Sequence, residues 1–210
     1  RKINDKNILL FGDSQADSIK LQLIRSSENI NHNLRLYDEN LKLNSQLSLK
    51  KLLKEINTNN YQAVIIHSYP GNTNLKIIEK LLLMNKYKNI KFIYIMSPPI
   101  YKKSVPASLF NQYVLKKSRL QRKTYSEHRS ERIEEYDQVE KLKIYKNFYS
   151  ADIAKEICNL PVMIKDKREY ICRLMTEKFE PFYFDNHHFT NTGAIQLEKV
   201  LQKVFYKLID

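Results

Sequence analysis

Near its amino terminus the chain reads Asn7-Ile8-Leu9-Leu10-Phe11-Gly12-Asp13-Ser14-Gln15-Ala16. Residues 7–11 form a short apolar run that is typical of a buried strand, and Gly12 is expected to end it. Beyond this strand, apolar side chains recur at helical spacing, at Ala16, Ile19, Leu23 and Ile24. The pattern therefore predicts a turn at Asp13 and Ser14, so that Ser14 lies where a strand passes into a helix.

A serine in this position has two physical consequences. Its hydroxyl would project from the carboxyl end of a strand, where open α/β sheets bind their ligands. The first N–H groups of the following helix have no partner inside the helix and favour an anion. If Ser14 is a nucleophile, the backbone therefore provides part of an oxyanion hole, beginning with the Ser14 N–H.

Serine is a weak nucleophile unless a base takes its proton, and the other end of the chain offers one. That region reads Phe184-Asp185-Asn186-His187-His188-Phe189-Thr190-Asn191-Thr192-Gly193-Ala194. A single tight turn can carry both Asp185 and His188, and the carboxylate can then orient the imidazole as in a Ser-His-Asp triad. The spacing favours His188 as the base, with the adjacent His187 as the alternative.

Together the two stretches resemble the SGNH (GDSL-type) hydrolase superfamily, with Gly12-Asp13-Ser14 as its first block and Asp185-x-x-His188 as its last. The longer pattern from Tyr183 to Ala194 is similar to one branch in particular. That branch is the periplasmic SGNH domain fused to acyltransferase-family-3 membrane proteins, which O-acetylate surface polysaccharides such as lipopolysaccharide.

The resemblance implies a fold, a set of roles and a set of partners. The fold is a three-layer α/β/α sandwich of flavodoxin-like type with a central parallel sheet. Ser14 would be the nucleophile, His188 the general base and Asp185 the group that orients His188, with no metal or organic cofactor in this domain. A transmembrane acyltransferase domain in the same polypeptide would deliver the acetyl group, and a polysaccharide would accept it. Residues 1–210 would then be a single catalytic domain, the carboxyl-terminal part of a longer membrane protein, on the periplasmic face of the inner membrane.

The two middle blocks of the superfamily supply a Gly and an Asn to the oxyanion hole, and here the match is incomplete. The chain has three glycines, Gly12, Gly71 and Gly193. None of them lies between the first predicted helix and the third predicted strand, where the Gly block belongs. The Asn block corresponds to residues 68–74, so Asn74 or Asn72 is the candidate donor, although both also suit helix capping or a turn.

The composition is basic, with 36 Lys and Arg against 23 Asp and Glu and a net charge of +13. This charge favours an acidic glycan or an anionic membrane surface as a partner, or it reflects a solvated surface. Nucleic acid is not expected, because the sequence has no compact Arg-rich helix, zinc-ligand pattern or RNA-binding signature. No apolar run approaches the ~18 residues that a membrane span needs. Because the chain starts at Arg1, we expect a fragment or a processed form.

The two cysteines, Cys158 and Cys172, fit either a disulfide in an oxidising compartment or a pair of free buried thiols. The resemblance favours the disulfide, since the acetyltransferase branch often has paired cysteines just before its final block.

Between the two motifs, strand and helix patterns alternate, which predicts a parallel sheet covered on both faces. Strands are expected at 33–37, 61–67, 90–96 and 148–149, and helices at 47–56 and 74–88. The rest is predicted as a Pro-containing loop at 100–108, two helices around Thr124 within 109–146, an irregular segment at 158–182 and a closing helix at 191–208. No repeat or low-complexity linker interrupts the chain, so we expect one domain.

Three functional hypotheses follow. The first is an O-acyltransferase in which Ser14 carries an acetyl group, as an acyl-enzyme, to a hydroxyl of a bacterial surface polysaccharide. The second is a carbohydrate esterase or deacetylase with the same triad, in which water is the acceptor. The third is a non-catalytic domain that keeps the fold and binds a glycan or a membrane.

Overall fold

A five-stranded sheet forms the centre of the molecule in the computed structural model, which describes residues 6–37, 42–84, 87–117 and 120–209. Its strands are β1 (Asn7–Gly12), β2 (Asn33–Leu36), β3 (Tyr61–His67), β4 (Lys91–Ile95) and β5 (Phe148–Ala151). They are ordered β2-β1-β3-β4-β5, and every neighbouring pair is parallel. The strand order reverses between β1 and β3, and ligands of such sheets bind at the carboxyl ends of the strands near that point.

Helices cover both faces of the sheet, which confirms the predicted α/β/α sandwich. The helices of the described residues are α1 (Ser14–Glu28), α2 (Gln46–Thr58), α3 (Leu75–Leu83), α4 (Val105–Tyr113), α5 (Tyr125–Glu131), α6 (Ile133–Leu142), α7 (Ile153–Ile157), α8 (Asn191–Ile195) and α9 (Glu198–Tyr206). Because successive side chains of a strand point to opposite faces, Ile8 and Leu10 pack with α1 and α9, while Leu9 and Phe11 pack with α2, α3 and α6.

The region predicted as a loop followed by two helices contains three helices. The loop at 100–108 ends early, because Ser104 caps α4 by accepting a hydrogen bond from the Ala107 N–H, and a proline is tolerated in a first helical turn. Thr124 begins α5 with a capping box, as its position in the prediction suggested. The non-helical backbone of Arg132, at φ −121° and ψ 22°, then separates α5 from α6.

The segment predicted as irregular at 158–182 contains an antiparallel hairpin, β6 (Leu160–Ile164) paired with β7 (Lys167–Ile171). Its two-residue turn consists of Lys165 and Asp166, both at positive φ, 48° and 60°. Glycine and asparagine usually mark such turns, and neither is present here, so the hairpin was missed. Cys158 and Cys172 form a disulfide at the open end of this hairpin, which confirms the pairing that the resemblance implied.

The predicted closing helix at 191–208 is two helices. Gln196 and Leu197 donate to the carbonyls of Gly193 and Ala194, three residues back, and this tight turn separates α8 from α9. The helix predicted at 74–88 is α3, which ends at Leu83, and residues 85–86 lie outside the described part of the chain. Among the residues that the structure describes, none of the helices has the length and apolar character needed to cross a bilayer.

Candidate active site

Ser14 is the first residue of α1 and is exposed at the carboxyl end of β1. β1 runs through Gly12 rather than stopping before it. A Cβ on Gly12 would lie 1.9 Å from the His67 carbonyl oxygen and 2.7 Å from the Ala16 Cβ. The glycine therefore lets β1 and β3 approach closely just below Ser14, a requirement different from the strand-breaking role that the sequence suggested.

Asp13 connects the serine turn to the loop that follows β3. Its Oδ1 accepts a hydrogen bond from the Gln15 N–H at 2.9 Å, which caps α1. Its Oδ2 accepts from the Tyr69 N–H at 2.9 Å and from the Asn72 amide at 2.6 Å. One buried carboxylate thus holds the backbone on both sides of the site.

Asp185 begins a tight turn that holds His188 in place. Its Oδ1 accepts from the backbone N–H groups of His187 and His188, each at 2.8 Å. Its Oδ2 lies 2.6 Å from the His188 Nδ1, and the His188 Nε2 lies 2.7 Å from the Ser14 Oγ. A carboxylate only accepts, so Nδ1 carries the proton and Nε2 is left to accept the Ser14 hydroxyl proton. This is the tautomer that a general base requires.

The electrostatics of the turn keep Asp185 ionised. Burial by itself would raise the pKa of Asp185, but the backbone N–H groups of His188 and His187 and the His188 imidazole outweigh it, and the pKa lies below its usual value. An ionised Asp185 in contact with His188 stabilises the imidazolium that forms when His188 takes a proton.

The turn of residues 185–188 is anchored to Tyr101 and to the first residue of α4, Val105. The Tyr101 N–H donates to the Asn186 carbonyl at 2.9 Å, and the Val105 N–H donates to the Asp185 carbonyl at 2.8 Å. The Asn186 amide nitrogen donates back to the Tyr101 carbonyl at 3.1 Å. These bonds join residues eighty or more positions apart in the chain, and they help to position Asp185 and His188 opposite Ser14.

His187 occupies a different environment from His188. Its Nδ1 lies 2.7 Å from the Asn186 Oδ1, which only accepts, so Nδ1 carries the proton of the neutral ring. Burial and then the nearby His188 lower the pKa of His187. Of the two histidines, the structure places His188 in hydrogen-bond contact with Ser14.

The two candidate oxyanion donors lie at the carboxyl end of β3 and already have structural partners. The Asn74 Oδ1 accepts from the Lys76 N–H at 3.1 Å and caps α3. The Asn72 amide binds Asp13, and its second N–H leaves it one further donor. Asn74 therefore has the capping role that the sequence left open, and Asn72 has a structural role in the loop after β3. An oxyanion role for either residue stays a prediction.

Three groups of the catalytic turn, Asp185, His187 and His188, lie close enough for their ligand atoms to hold a metal ion, within 4.8 Å of one another. Both Nδ1 atoms and both oxygens of Asp185 already make hydrogen bonds inside the turn. The donor set therefore fits a hydrogen-bonded triad better than a metal centre.

Two aromatic residues beside the site were not singled out from the sequence. Phe184 stacks on His188 with ring centroids 5.2 Å apart, and Tyr69 meets His187 edge-on at 5.0 Å. Phe184 lies inside the quoted motif, but its exposure depends on how the turn folds. Tyr69 is distant in sequence from the motifs, and it reaches the site because β3 pairs with β1 as far as His67 and because Asp13 binds the Tyr69 N–H.

Comparison with known proteins identifies a family and a shared fold. The model of the family described as "SGNH domain (fused to AT3 domains)" matches residues 1–203. The solved structure of the periplasmic domain of a Salmonella ser. Paratyphi A lipopolysaccharide acetyltransferase is similar, at 17% identity and a TM-score of 0.63. The match covers 100% of this chain and 85% of that one, and at this identity it shows the fold alone. No curated protein matches the sequence significantly. Because the family model spans nearly the whole chain, the chain belongs to the SGNH domains of the type fused to AT3 domains.

Proposed function

We propose that this chain is an O-acyltransferase domain that moves an acetyl group through Ser14 onto a hydroxyl of a bacterial surface polysaccharide. The observation that carries the proposal is the unbroken hydrogen-bonded chain from Ser14 through His188 to Asp185, at an exposed strand end. The membership in a family fused to AT3 domains and the fold shared with an acetyltransferase domain support acyl transfer to a polysaccharide.

In the first half-reaction, the Ser14 Oγ attacks the carbonyl carbon of the acetyl donor while the His188 Nε2 takes the hydroxyl proton. The tetrahedral intermediate collapses, the bond to the leaving group breaks, and His188 returns the proton to that group. The acetyl group is left as an ester on Ser14. Asp185 stabilises the imidazolium during both proton transfers.

In the second half-reaction, His188 takes the proton of a sugar hydroxyl, whose oxygen attacks the acetyl-Ser14 carbonyl. The ester bond to Ser14 breaks, and His188 returns the proton to the Ser14 Oγ. The sugar leaves as an O-acetyl ester, and the enzyme is restored. No cofactor enters these steps, because His188 carries every proton.

Both tetrahedral intermediates need donors for the developing oxyanion. The Ser14 N–H belongs to the first turn of α1, whose N–H groups have no acceptor within the helix. Asn72 or Asn74 is proposed as the second donor, and each such donor contributes ~3 kcal/mol.

The proposal also includes a partner domain and a cellular location for this domain. A transmembrane acyltransferase domain in the same polypeptide would deliver the acetyl group, as the description of the family suggests. The domain would then work on the periplasmic side of the inner membrane.

An esterase or deacetylase is the second candidate, and the exposure of Ser14 favours it. Water reaches an acyl-enzyme at an open site, and the same His188 could activate it. The choice between the two depends on whether a bound sugar hydroxyl outcompetes water through its higher effective molarity.

The acyl-enzyme can be tested directly. The protein is mixed with p-nitrophenyl acetate, quenched in acid and digested, and the peptide that contains Ser14 is examined by mass spectrometry. We expect an added acetyl group on Ser14 that is absent in Ser14→Ala. An unlabelled Ser14 peptide, together with no reaction towards a fluorophosphonate probe, would favour the non-catalytic binding domain.

The direction of transfer needs a second measurement. The domain is incubated with the activated ester and a surface polysaccharide whose own esters have been removed, and O-acetyl sugar is detected by mass. We expect slow hydrolysis of the ester alone and acetylated sugar when the right glycan is present. Rapid deacetylation of an acetylated glycan, with no transfer to any acceptor, would identify an esterase.

A further inference from the structure

Four rings lie in a row across the site, Tyr69, His187, His188 and Phe184. The centroid distances are 5.0 Å from Tyr69 to His187, 3.9 Å from His187 to His188 and 5.2 Å from His188 to Phe184. His188 is also the partner of Ser14. The two outer rings, Tyr69 and Phe184, therefore contact the two ends of the His187–His188 pair.

Both outer rings are accessible to solvent although they belong to firmly held backbone. Phe184 is 58% exposed, whereas Tyr183 and Phe189 of the same segment are buried in the core. Tyr69 is 36% exposed, and its N–H is fixed by Asp13. The hydrogen bonds from Asp185 to His188 and from His188 to Ser14 involve neither Phe184 nor Tyr69. Proton transfer along these bonds therefore does not require either side chain to be aromatic.

An open site of this kind must hold an acceptor by surface contact. The face of an aromatic ring is electron-rich and attracts the polarised C–H groups on the flat side of a sugar ring, as it attracts the edge of another aromatic ring. Rigid, partly exposed aromatic rings also lose little conformational entropy on binding. Two such rings, one against His187 and one against the Ser14 partner His188, would bind neighbouring sugars of a polymer and leave one hydroxyl at the acyl group.

We infer that Tyr69 and Phe184 form a sugar-binding platform, which places a polysaccharide across the Ser14–His188 pair. The inference rests on the proposed acyl transfer to a polysaccharide and adds the residues that hold the acceptor. The competing explanation is that Phe184 only orients His188 through stacking.

The test separates binding from catalysis by using a background in which Ser14 is Ala. The probe is Salmonella ser. Paratyphi A O-polysaccharide freed of its ester groups by mild alkali, and its affinity is measured by biolayer interferometry. We expect Phe184→Ala and Tyr69→Ala each to weaken binding about tenfold, while Phe184→Tyr retains it. Tyr206→Ala is the matched control, since Tyr206 is 53% exposed on α9, away from the site, and should bind normally.

A second measurement, made with Ser14 intact, compares transfer to the polysaccharide with hydrolysis of p-nitrophenyl acetate. A platform predicts that Phe184→Ala lowers transfer far more than hydrolysis. Equal losses in both reactions, restored together by Phe184→Tyr, would mean that Phe184 positions His188 and would overturn the inference.

Three further outcomes distinguish a failure of this inference from a failure of the proposed function. Ring-dependent binding with no acetyl on Ser14 would support the platform and reject the acyltransferase. Acetyl transfer with unchanged polysaccharide affinity in Phe184→Ala and Tyr69→Ala, or no polysaccharide binding by the Ser14→Ala protein, would reject the platform.

Discussion

At the scale of single residues, the site depends on two carboxylates with different tasks. Asp185 binds the backbone of its own turn and the Nδ1 of His188, which fixes the tautomer and orientation of the base. Asp13 connects the serine turn to the Tyr69 backbone and the Asn72 side chain. In the proposed mechanism Asp185 would support proton transfer, whereas Asp13 holds the serine turn in position.

The triad makes the first prediction at this scale. Ser14→Ala and His188→Ala should each lower kcat for p-nitrophenyl acetate by roughly 10⁴-fold or more, because nucleophile and base act as a unit. Asp185→Asn should lower kcat somewhat less, since the imidazole loses the charge that orients it but keeps a hydrogen-bonding neighbour. Steady-state kinetics with circular dichroism as a folding control provides the measurement. His187→Ala should be far more active than His188→Ala, and the reverse order would assign the base to His187.

A second prediction at the residue scale concerns the stability of two glycine variants. Gly12→Ala should lower the free energy of unfolding by about 3 kcal/mol, because its Cβ would collide with the His67 carbonyl and Ala16. Gly71→Ala is the control, since its Cβ meets no atom within 4 Å and only the positive φ of 84° opposes it. That strain costs about 1 kcal/mol. Urea unfolding of both variants tests the difference, and equal losses would contradict the close approach of β1 and β3.

At the scale of elements, one prediction concerns the cap of α3 and another concerns the disulfide of the hairpin. Asn74 caps α3 through the Lys76 N–H, so Asn74→Ala should lower the free energy of unfolding by about 1 kcal/mol. Asn74→Asp keeps a hydrogen-bond acceptor at the cap and should lower the free energy of unfolding by less. Thermal unfolding and ester hydrolysis are measured on both. A ~100-fold loss of turnover in Asn74→Ala without a loss of stability would instead identify the amide as an oxyanion donor.

The disulfide belongs to the element scale because it closes the β6–β7 hairpin, which precedes the Asp185–His188 turn in the chain. Replacing both Cys158 and Cys172 by Ala should lower the free energy of unfolding by about 3 kcal/mol, the value expected from the restricted unfolded chain. Wild-type protein unfolded in urea with a reductant should show a similar loss. An unchanged midpoint in both experiments would mean that the crosslink contributes no stability.

At the scale of the whole molecule, two buried histidines set the response to acid. Burial is the main cause that lowers the pKa of His67 and of His128 to about 4. The Ile95 carbonyl and then Asp13 oppose this shift at His67, and Asp152 opposes it at His128. Both side chains are therefore neutral in the folded protein, whereas in the unfolded chain they take up protons near pH 6.5. Their contribution to stability is complete above pH 6.5 and is lost as the pH falls from 6.5 towards 4.

This linkage predicts that each histidine lowers the free energy of unfolding by on the order of 3 kcal/mol when the pH falls from 7 to 4. Urea unfolding at pH 7, 5.5 and 4.5 measures the slope, and His128→Gln should flatten it, because Gln takes up no proton on unfolding. Glu135→Gln provides a contrast: the pKa of Glu135 is raised by burial, so this variant should not remove the loss between pH 6.5 and 4 that the histidines cause. Identical slopes in wild type and His128→Gln would contradict a neutral buried His128.

Periodic patterns in the sequence were sufficient to predict the strands of the central sheet and most of the helices. The apolar run in β1 and the helical spacing after Ser14 depend on local steric and hydrophobic preferences, which a short window of sequence contains. The same local patterns missed the hairpin, because its turn at Lys165 and Asp166 lacks glycine, and they joined α8 to α9, because the break at Gln196 leaves the apolar spacing intact.

The sequence by itself determined the alternating strands and helices, the serine at a strand end and the Asp185–His188 pair in a single turn. Only the tertiary structure brought His188 rather than His187 to Ser14, used the Asn72 amide and the Tyr69 N–H to hold Asp13, and left Phe184 exposed. The catalytic roles of these residues stay predictions. The physical reason for the division is range. Helix and strand patterns arise between near neighbours, whereas the hydrogen bond between Ser14 and His188 joins residues 174 positions apart and exists only once the sheet has brought its strand ends to one edge.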